Sequence, residues 1–176
     1  MYGASHLCSK WRDGERHDIE GARCIINAYP DALSVEDQDG RTPLHLAASK
    51  RNAEMLRFLL QHKPEVAQVR DRLGRTALHT LCRIFQVGCH LRALRDLVAA
   101  APDTLFMVDR RMEQTLLHVA CSVQRPHLDA IKLLATRESA SKTDVEKYTA
   151  LQCACEVAAD VASTTATVAQ AFLAIS

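Results

Sequence analysis

The sequence lacks an excess of either charge. It contains 22 Lys and Arg residues against 21 Asp and Glu residues, which leaves a formal net charge of +1. A balanced chain produces no overall field that would draw in a nucleic-acid backbone or an anionic membrane surface. We therefore expect no nucleic-acid partner, and any electrostatic preference must come from a local patch.

Long apolar runs are also missing. No stretch approaches the roughly 20 consecutive apolar residues needed to cross a bilayer, and residues 1–16 lack the apolar core of a signal peptide. These absences predict a protein without membrane insertion, located inside the cell and by default in the cytoplasm. Seven cysteines, an odd number among 176 residues, favour reduced thiols over a disulfide scaffold.

What the sequence does contain is an internal repeat. Four segments share a threonine that is followed two residues later by leucine and, in three of them, next by histidine. The threonines are Thr42, Thr76, Thr115 and Thr149, and their residue numbers differ by 34, 39 and 34. A second motif keeps the same phase, because Pro30, Pro64 and Pro102 each precede an aspartate by seven residues. Two motifs in one phase predict a stack of repeated units.

Between the two motifs, apolar residues recur at helical spacing. Each unit is therefore predicted to contain a turn, a short helix, a longer helix and a loop, and none can bury its apolar face alone. We predict an all-α solenoid of about five helix-turn-helix units with hairpin-like loops, forming one domain over residues 1–176. The approximate units are 1–36, 37–70, 71–108, 109–143 and 144–176, of which the first and last are atypical.

The segment TPLHLAA that starts at Thr42, preceded by Asp37 and Gly40, closely resembles the ankyrin-repeat signature. The resemblance covers nearly the whole chain and is strongest over residues 37–135. Threonine is a favoured helix cap, and the resemblance implies that the histidine bonds to it and to neighbouring backbone. The structural repeat residues are then Thr42, His45, Thr76, His79, Thr115, His118 and Thr149.

The later units depart from the pattern at several positions. Gly40 and Gly74 fit tight turns with positive φ, whereas Glu113 and Lys147 replace them. We therefore expect the last two hairpins to bend differently or to be less well ordered. The longer spacing before Thr115 requires about five extra residues, which alignment places mostly in a bulge around residues 83–90.

The sequence contains no P-loop, HExxH, nucleophile elbow or dinucleotide fingerprint. We predict a protein that is not an enzyme and has no catalytic residue, no cofactor and no metal site. Cys82, Cys121 and Cys155 share the register position of Ala48, where a free cysteine is expected to be a small buried hydrophobe. A redox or zinc sensor that uses the cysteines is the weaker alternative.

The resemblance implies that a partner binds on the concave face formed by the hairpin tips and the short helices. Arginines stand beside Leu73 and Met112 on these tips, and arginine suits carboxylate pairing and is enriched in interfaces. We expect a partner segment with acidic residues flanking an apolar anchor, against the alternative that these arginines are merely solvated. The predicted contact residues are Asp39, Arg41, Arg72, Leu73, Arg75, Arg111, Met112, Gln114 and Tyr148.

The sequence thus predicts a monomeric, non-catalytic adaptor or scaffold module that binds another protein. The alternative from a different class is a structural or targeting module of a larger protein whose activity lies outside this segment. The two differ in whether the 176 residues capture a partner by themselves.

Overall fold

The computed structural model describes residues 17–84, 91–123 and 127–158. The predictions for the atypical ends, residues 1–16 and 159–176, lie outside these ranges, as does most of the expected bulge. Within the described ranges the chain forms short and longer helices in alternation, and no helix there is long and apolar enough to span a membrane.

The helices follow the predicted repeat. The elements, in chain order, are α1 (His17–Ala28), η1 (Pro30–Ser34), α2 (Pro43–Ser49), α3 (Ala53–His62), η2 (Pro64–Gln68), α4 (Ala77–Arg83), α5 (Leu91–Ala100), η3 (Pro102–Phe106), α6 (Leu116–Cys121), α7 (Leu128–Leu134), α8 (Arg137–Ser141) and α9 (Ala150–Ala158), where η marks a 3₁₀ helix. Each proline of the second motif begins one of the 3₁₀ helices, because its fixed φ suits the first turn.

Successive units stack through like elements. The short helices α2, α4, α6 and α9 pack in a row, and the longer helices α3, α5 and α7 pack in a second row beside it. The stack confirms the predicted all-α solenoid. Its core repeats with the sequence, since Leu44, Leu78 and Leu117 occupy one register position and are at most 1% exposed. Fully burying such a leucine contributes about 1.5–3 kcal/mol.

The threonines cap the short helices together with the residue three positions later. The backbone N–H and the hydroxyl of Thr42 lie 3.3 and 2.9 Å from Nδ1 of His45, and Thr76 and Thr115 form the same capping box. In the fifth unit Gln152 replaces the histidine, and its Oε1 accepts from the Thr149 N–H at 2.8 Å. Glutamine can therefore perform the capping part of the histidine role.

An aspartate organises each hairpin. Oδ1 of Asp71 accepts from the N–H groups of Leu73 and Arg75 at 3.0 and 2.9 Å, and the N–H of Asp71 donates to the Arg75 carbonyl at 2.8 Å. Asp37 and Asp144 hold their hairpins with the same two-residue and four-residue spacings. Each turn is thus fixed by the carboxylate at its start.

Main-chain hydrogen bonds join successive hairpin tips into a ladder. Its rungs run from Arg72 N–H to the Asp39 carbonyl at 3.0 Å, from Arg110 N–H to the Leu73 carbonyl at 2.8 Å, and from Val145 N–H to the Met112 carbonyl at 2.9 Å. The ladder gives an alignment of the tips that does not depend on sequence similarity. Asp39, Leu73 and Met112 are equivalent positions on it.

The ladder fixes the alignment of the fourth hairpin, where counting five residues back from Thr115 would select Arg110. Asp109, rather than Arg110, takes the organising position, because its Oδ1 accepts from Met112 and Gln114 at 2.9 and 3.2 Å. Since Arg110 and Met112 both match ladder positions of the third hairpin, Arg111 is an inserted residue. One of the five extra residues therefore lies in this hairpin, and the other four lie between α4 and α5.

The expectation of differently bent later hairpins is wrong for the fifth unit. Lys147 adopts φ +69°, close to the +74° of Gly40 and the +75° of Gly74, and its N–H bonds to the Asp144 carbonyl at 3.0 Å as the glycines do in their turns. The hydrogen bonds of the turn therefore hold the backbone of a residue other than glycine in the left-handed region. Glu113 takes φ +53° in the longer fourth hairpin.

The fourth unit also differs at its outer end, where the proline motif is missing. Helix α7 has 7 residues, against 10 in each of α3 and α5. The short helix α8 stands where η2 and η3 stand in the preceding units, and Thr136 caps it by accepting from the Ser139 N–H at 3.0 Å. A hydroxyl-capped turn thus replaces the proline-initiated one.

Candidate functional site

A pocket of about 310 Å³ lies between the third and fourth units. It opens on the surface formed by the hairpin tips and the adjoining sides of the short helices, which we call the tip face. From the third unit it is lined by the hairpin and α4, and from the fourth by the longer hairpin and α6. The lining residues are Leu73, Arg75, His79, Arg83, Asp109, Arg111, Met112, Gln114, Val119, Ser122 and Val123.

Five of the nine sequence-predicted contact residues meet in this pocket, and four do not. The five are Leu73, Arg75, Arg111, Met112 and Gln114. Asp39 and Arg41 belong to the second hairpin, Arg72 lies exposed on the third tip outside the pocket lining, and Tyr148 is 40% exposed on the fifth hairpin. The prediction thus spreads over four tips, whereas the pocket draws on two of them.

Two of the predicted arginines are engaged within their own hairpins. Arg75 donates from Nε and Nη2 to Oδ2 of Asp71, at 3.0 and 2.8 Å. Arg41 pairs with Asp37 and Asp39 at 2.9 and 2.8 Å. These two guanidinium groups stabilise their own turns, so their charges are already partly neutralised within the chain.

The ion pairs lower the pKa values of the two aspartates, Asp37 and Asp71. Burial would raise the pKa of Asp71, but hydrogen bonds from the guanidinium and backbone of Arg75 outweigh burial and lower the pKa. Asp37 behaves in the same way, with burial opposed by hydrogen bonds from Arg41. Both carboxylates are therefore ionised well below neutral pH, and each turn keeps its ion pair.

Arg83 and Arg111 are the pocket arginines with a free charge. Both side chains are exposed, and neither has an ion-pair partner among the described residues. They stand on opposite walls, since Arg83 ends α4 and Arg111 is the inserted residue of the fourth hairpin. Their combined charge exceeds that of Asp109, the single carboxylate in the lining.

His79 is the buried polar residue of the pocket. It is 2% exposed, and burial lowers its pKa to about 4. Its Nδ1 lies 3.2 and 2.9 Å from the N–H and hydroxyl of Thr76. Its Nε2 has no hydrogen-bond partner among the described residues. The ring is therefore neutral at pH 7 and carries its proton on Nε2, for which none of the described residues provides an acceptor.

Six lining residues are not among the nine predicted contacts, namely His79, Arg83, Asp109, Val119, Ser122 and Val123. Asp109 could have been found from the proline motif, because it stands seven residues after Pro102 as Asp37 and Asp71 do after their prolines. Val119 could have been found from its position four residues after Thr115, on the half-buried side of the short helix.

The cysteines do not form a reactive centre among the described residues. Burial raises the pKa of Cys82 and of Cys121 to about 12, so both remain protonated thiols. Cys155 was predicted to be buried at the same register position, and this is wrong, because it is exposed. Helix α9 packs against α6 on one side, and no described helix covers its other side.

A metal site also finds no support in the ranges described. They contain no group of three or more His, Cys, Asp or Glu side chains that could hold an ion. Cys153 lies 3.9 Å from Oδ2 of Asp144, which supplies two groups where a structural zinc needs four ligands. The cysteine-based sensor therefore has no geometric basis within these residues.

Comparison with protein families gives a match to part of the chain. The model for ankyrin repeats, with three copies, matches residues 6–87. This match identifies residues 6–87 as ankyrin repeats. The helix pairs and hairpins of the structure continue the same architecture to residue 158. A search of curated proteins returns no match to this sequence. Ankyrin repeats are generally protein–protein interaction modules and are typically non-enzymatic.

Proposed function

We propose that this ankyrin-repeat chain is a non-catalytic adaptor that holds a segment of another protein against its tip face. The observation that carries this proposal is the pocket between the third and fourth units, in which five of the predicted contact residues converge. Binding sites are commonly concave and largely apolar with a few placed polar groups. Leu73, Met112, Val119 and Val123 supply the apolar part of this lining.

The exposed residues of the tips support a partner with an apolar anchor. Leu73, Val145 and Tyr148 are 45%, 49% and 40% exposed, although each is large and apolar or aromatic. They belong to the third and fifth hairpins, and Met112 lies between them in the ladder. Aromatic and apolar side chains of this kind form the centres of protein interfaces. An anchor residue of the partner would pack along this row.

The free arginines support acidic residues in the same partner segment. Arg72 and Arg111 are exposed on adjacent tips, while Arg41 and Arg75 are already paired within their hairpins. Arginine matches carboxylates in geometry as well as in charge. The partner segment would then place acidic residues on either side of its apolar anchor. The free thiols of Cys24 and Cys155 are consistent with a reducing, intracellular setting.

The test is the affinity for a captured partner, compared between two folded variants. The tip variant combines Arg72→Glu with Leu73→Ser, and it leaves Arg75 in place because Arg75 holds the turn. The control combines Arg92→Glu with Arg95→Glu, two exposed arginines on α5 outside the pocket lining. We expect the tip variant to bind at least about tenfold more weakly, equivalent to about 1.4 kcal/mol, and the control to bind as the wild type does.

Equal loss in both variants would show a charge effect without a defined surface and would contradict the proposal. A folded 176-residue chain that captures no partner would favour the alternative of a structural or targeting module in a larger protein. Thermal unfolding followed by circular dichroism verifies that each variant retains its fold.

A further inference from the structure

The three repeat histidines share a register position but not a set of contacts. Nε2 of His45 lies 3.0 Å from the Arg75 carbonyl, and Nε2 of His118 lies 3.1 Å from the Tyr148 carbonyl. Each carbonyl belongs to the residue before the threonine of the next unit. The equivalent acceptor for His79 is the Gln114 carbonyl, yet Nε2 of His79 has no partner among the described residues.

The missing bond coincides with the inserted residue. Asp71 and Thr76 are five positions apart, as are Asp144 and Thr149, whereas Asp109 and Thr115 are six apart because of Arg111. The Gln114 carbonyl still closes its own turn by accepting from the Asp109 N–H at 3.1 Å. The longer turn therefore keeps its internal hydrogen bond and loses the bond to the preceding unit.

A buried donor without an acceptor destabilises the folded protein. The carbonyl of Met107 favours the charged form of the ring without meeting hydrogen-bond geometry. Nε2 exposes less than 1 Å², so bulk water does not satisfy it. An acceptor that enters from the pocket would form the hydrogen bond that the described residues leave unmade.

The charges around the pocket select the kind of acceptor. Arg83 and Arg111 carry free positive charges on opposite walls, and Arg75 is neutralised by Asp71. Asp109 opposes an entering anion, but its Oδ1 is occupied by the N–H groups of Met112 and Gln114. Two cations against one hydrogen-bonded carboxylate favour an anionic acceptor over a neutral carbonyl.

Building on the proposed function, we propose that this pocket is a carboxylate subsite for an acidic side chain of the partner. The carboxylate enters between Arg83 and Arg111 and accepts a hydrogen bond from Nε2–H of His79. The side chains of Met112 and Gln114 move aside to admit it, since both are unbranched and have several rotatable bonds. The carboxylate belongs to a side chain rather than to a chain terminus, because the proposed partner segment contacts hairpin tips on both sides of the pocket and so continues past it.

The test is nuclear magnetic resonance of the imidazole nitrogens of the full chain, with synthetic peptides as probes. The first probe is acetyl-Gly-Glu-Leu-Glu-Gly-amide, and the second replaces both Glu residues by Gln. The third, acetyl-Gly-Ser-Leu-Gly, has a free carboxyl terminus and no acidic side chain. His45 and His118 act as internal controls, because their Nε2–H groups already donate to carbonyls.

We expect the Glu peptide to shift the Nε2–H signal of His79 saturably and to leave those of His45 and His118 in place. Arg111→Gln should weaken this peptide about tenfold, as should Arg83→Gln, while Arg95→Gln on α5 should not change its affinity. Equal shifts with the Gln peptide, or equal responses of all three histidines, would overturn the subsite. A response to the third peptide alone would overturn the choice of a side-chain carboxylate.

This test separates failure of the subsite from failure of the proposed function. A partner that loses affinity with the Arg72→Glu and Leu73→Ser variant, while the Glu peptide leaves His79 unchanged, would keep the tip face and remove the carboxylate subsite. A partner indifferent to the tip variant would remove both.

Discussion

Two junctions between units can be compared, the one between the second and third units and the one between the third and fourth. Both carry the same threonine and histidine pair, but the histidines make different contacts. In the first, Nε2 of His45 reaches the Arg75 carbonyl at 3.0 Å. In the second, the same nitrogen of His79 reaches no acceptor among the described residues, and a pocket of about 310 Å³ lies beside it. The facing hairpin of the second junction is longer by one residue, Arg111.

This contrast shows that repetition of sequence does not guarantee repetition of contacts. The capping box of Thr76 and His79 depends only on residues within one short helix, so it survives. The bond between units depends on the length of the neighbouring hairpin, so a single insertion removes it. Local interactions are therefore preserved where interactions between units diverge.

The largest expected effect that separates the two junctions is that of pH on the free energy of unfolding. Burial lowers the pKa of His79 to about 4, below the ordinary 6.5. Between these values the unfolded chain binds a proton that the folded chain does not, so the free energy of unfolding falls as pH falls. This residue alone should remove roughly 3 kcal/mol between pH 7 and pH 4. Urea unfolding at pH 7, 5.5 and 4 measures the decline.

The matched variants for this experiment are His79→Gln and His45→Gln, because Gln152 shows that glutamine retains the cap. Burial also lowers the pKa of His45, but the Arg75 carbonyl favours its charged form. His79→Gln should therefore remove more of the pH dependence than His45→Gln. An unchanged slope in His79→Gln would contradict the prediction.

The next largest effect concerns Gly40 and Gly74, the glycines of the second and third hairpins. A Cβ added at Gly74 would lie 2.6 Å from Cγ and 3.0 Å from N of Arg110, whereas at Gly40 the nearest atom is N of Arg72 at 3.0 Å. Both glycines also have positive φ. Gly74→Ala should lower the free energy of unfolding by about 2–3 kcal/mol and Gly40→Ala by about 1–2 kcal/mol.

Chemical denaturation of both glycine variants gives the comparison, with Gly21→Ala as the control. Nothing lies within 4 Å of a Cβ at Gly21, which is in α1, so alanine there should be neutral or stabilising. A larger loss at Gly40 than at Gly74 would show that the crowding between the third and fourth tips is not limiting.

Deletion of Arg111 tests the origin of the contrast directly. The shortened hairpin should match the third one, bring the Gln114 carbonyl to Nε2 of His79, and raise the free energy of unfolding by about 1 kcal/mol. The same deletion should abolish binding of the Glu peptide. Arg111→Ser keeps the hairpin length and should give no gain in stability. Equal free energies of unfolding in the two variants would contradict the explanation by hairpin length.

The smallest expected effect concerns the fifth hairpin, where Lys147 occupies the glycine position with φ +69°. Lys147→Gly should relieve left-handed strain and raise the free energy of unfolding by about 0.5–1 kcal/mol. Glu146→Gly, at the neighbouring exposed position whose φ is not positive, should give no gain. Thermal melts of both variants decide the point, and a loss in Lys147→Gly would show that its side chain makes an offsetting contact.

The sequence was sufficient to predict the helix pairs and their phase, because threonine caps, aspartate turns and apolar positions are local or periodic. It also contained a signal that went unused. Arg41 and Arg75 each stand four residues after an aspartate, a spacing that matches the observed ion pairs. Recognising it would have separated these arginines from Arg72 and Arg111.

Other features could not be predicted because they depend on neighbours in space. The inserted Arg111 looks like a substitution when the hairpin is aligned from Thr115, and only the ladder between tips reveals it. The exposure of Cys155 likewise depends on what covers α9, whereas Cys121 at the same register position is packed between units. Register fixes which side of a helix a residue is on, but not whether another element covers that side.

The ladder between hairpin tips has a consequence for how such a surface can change over evolution. Its rungs attach at Arg110 and Met112, and the chain accommodates Arg111 between them without losing either rung. Residues gained or lost between attachment points alter the shape and charge offered to a partner, while the spacing of the helices stays constant. Binding specificity can thus change through single insertions or deletions in the hairpins, without compensating changes in the helix packing.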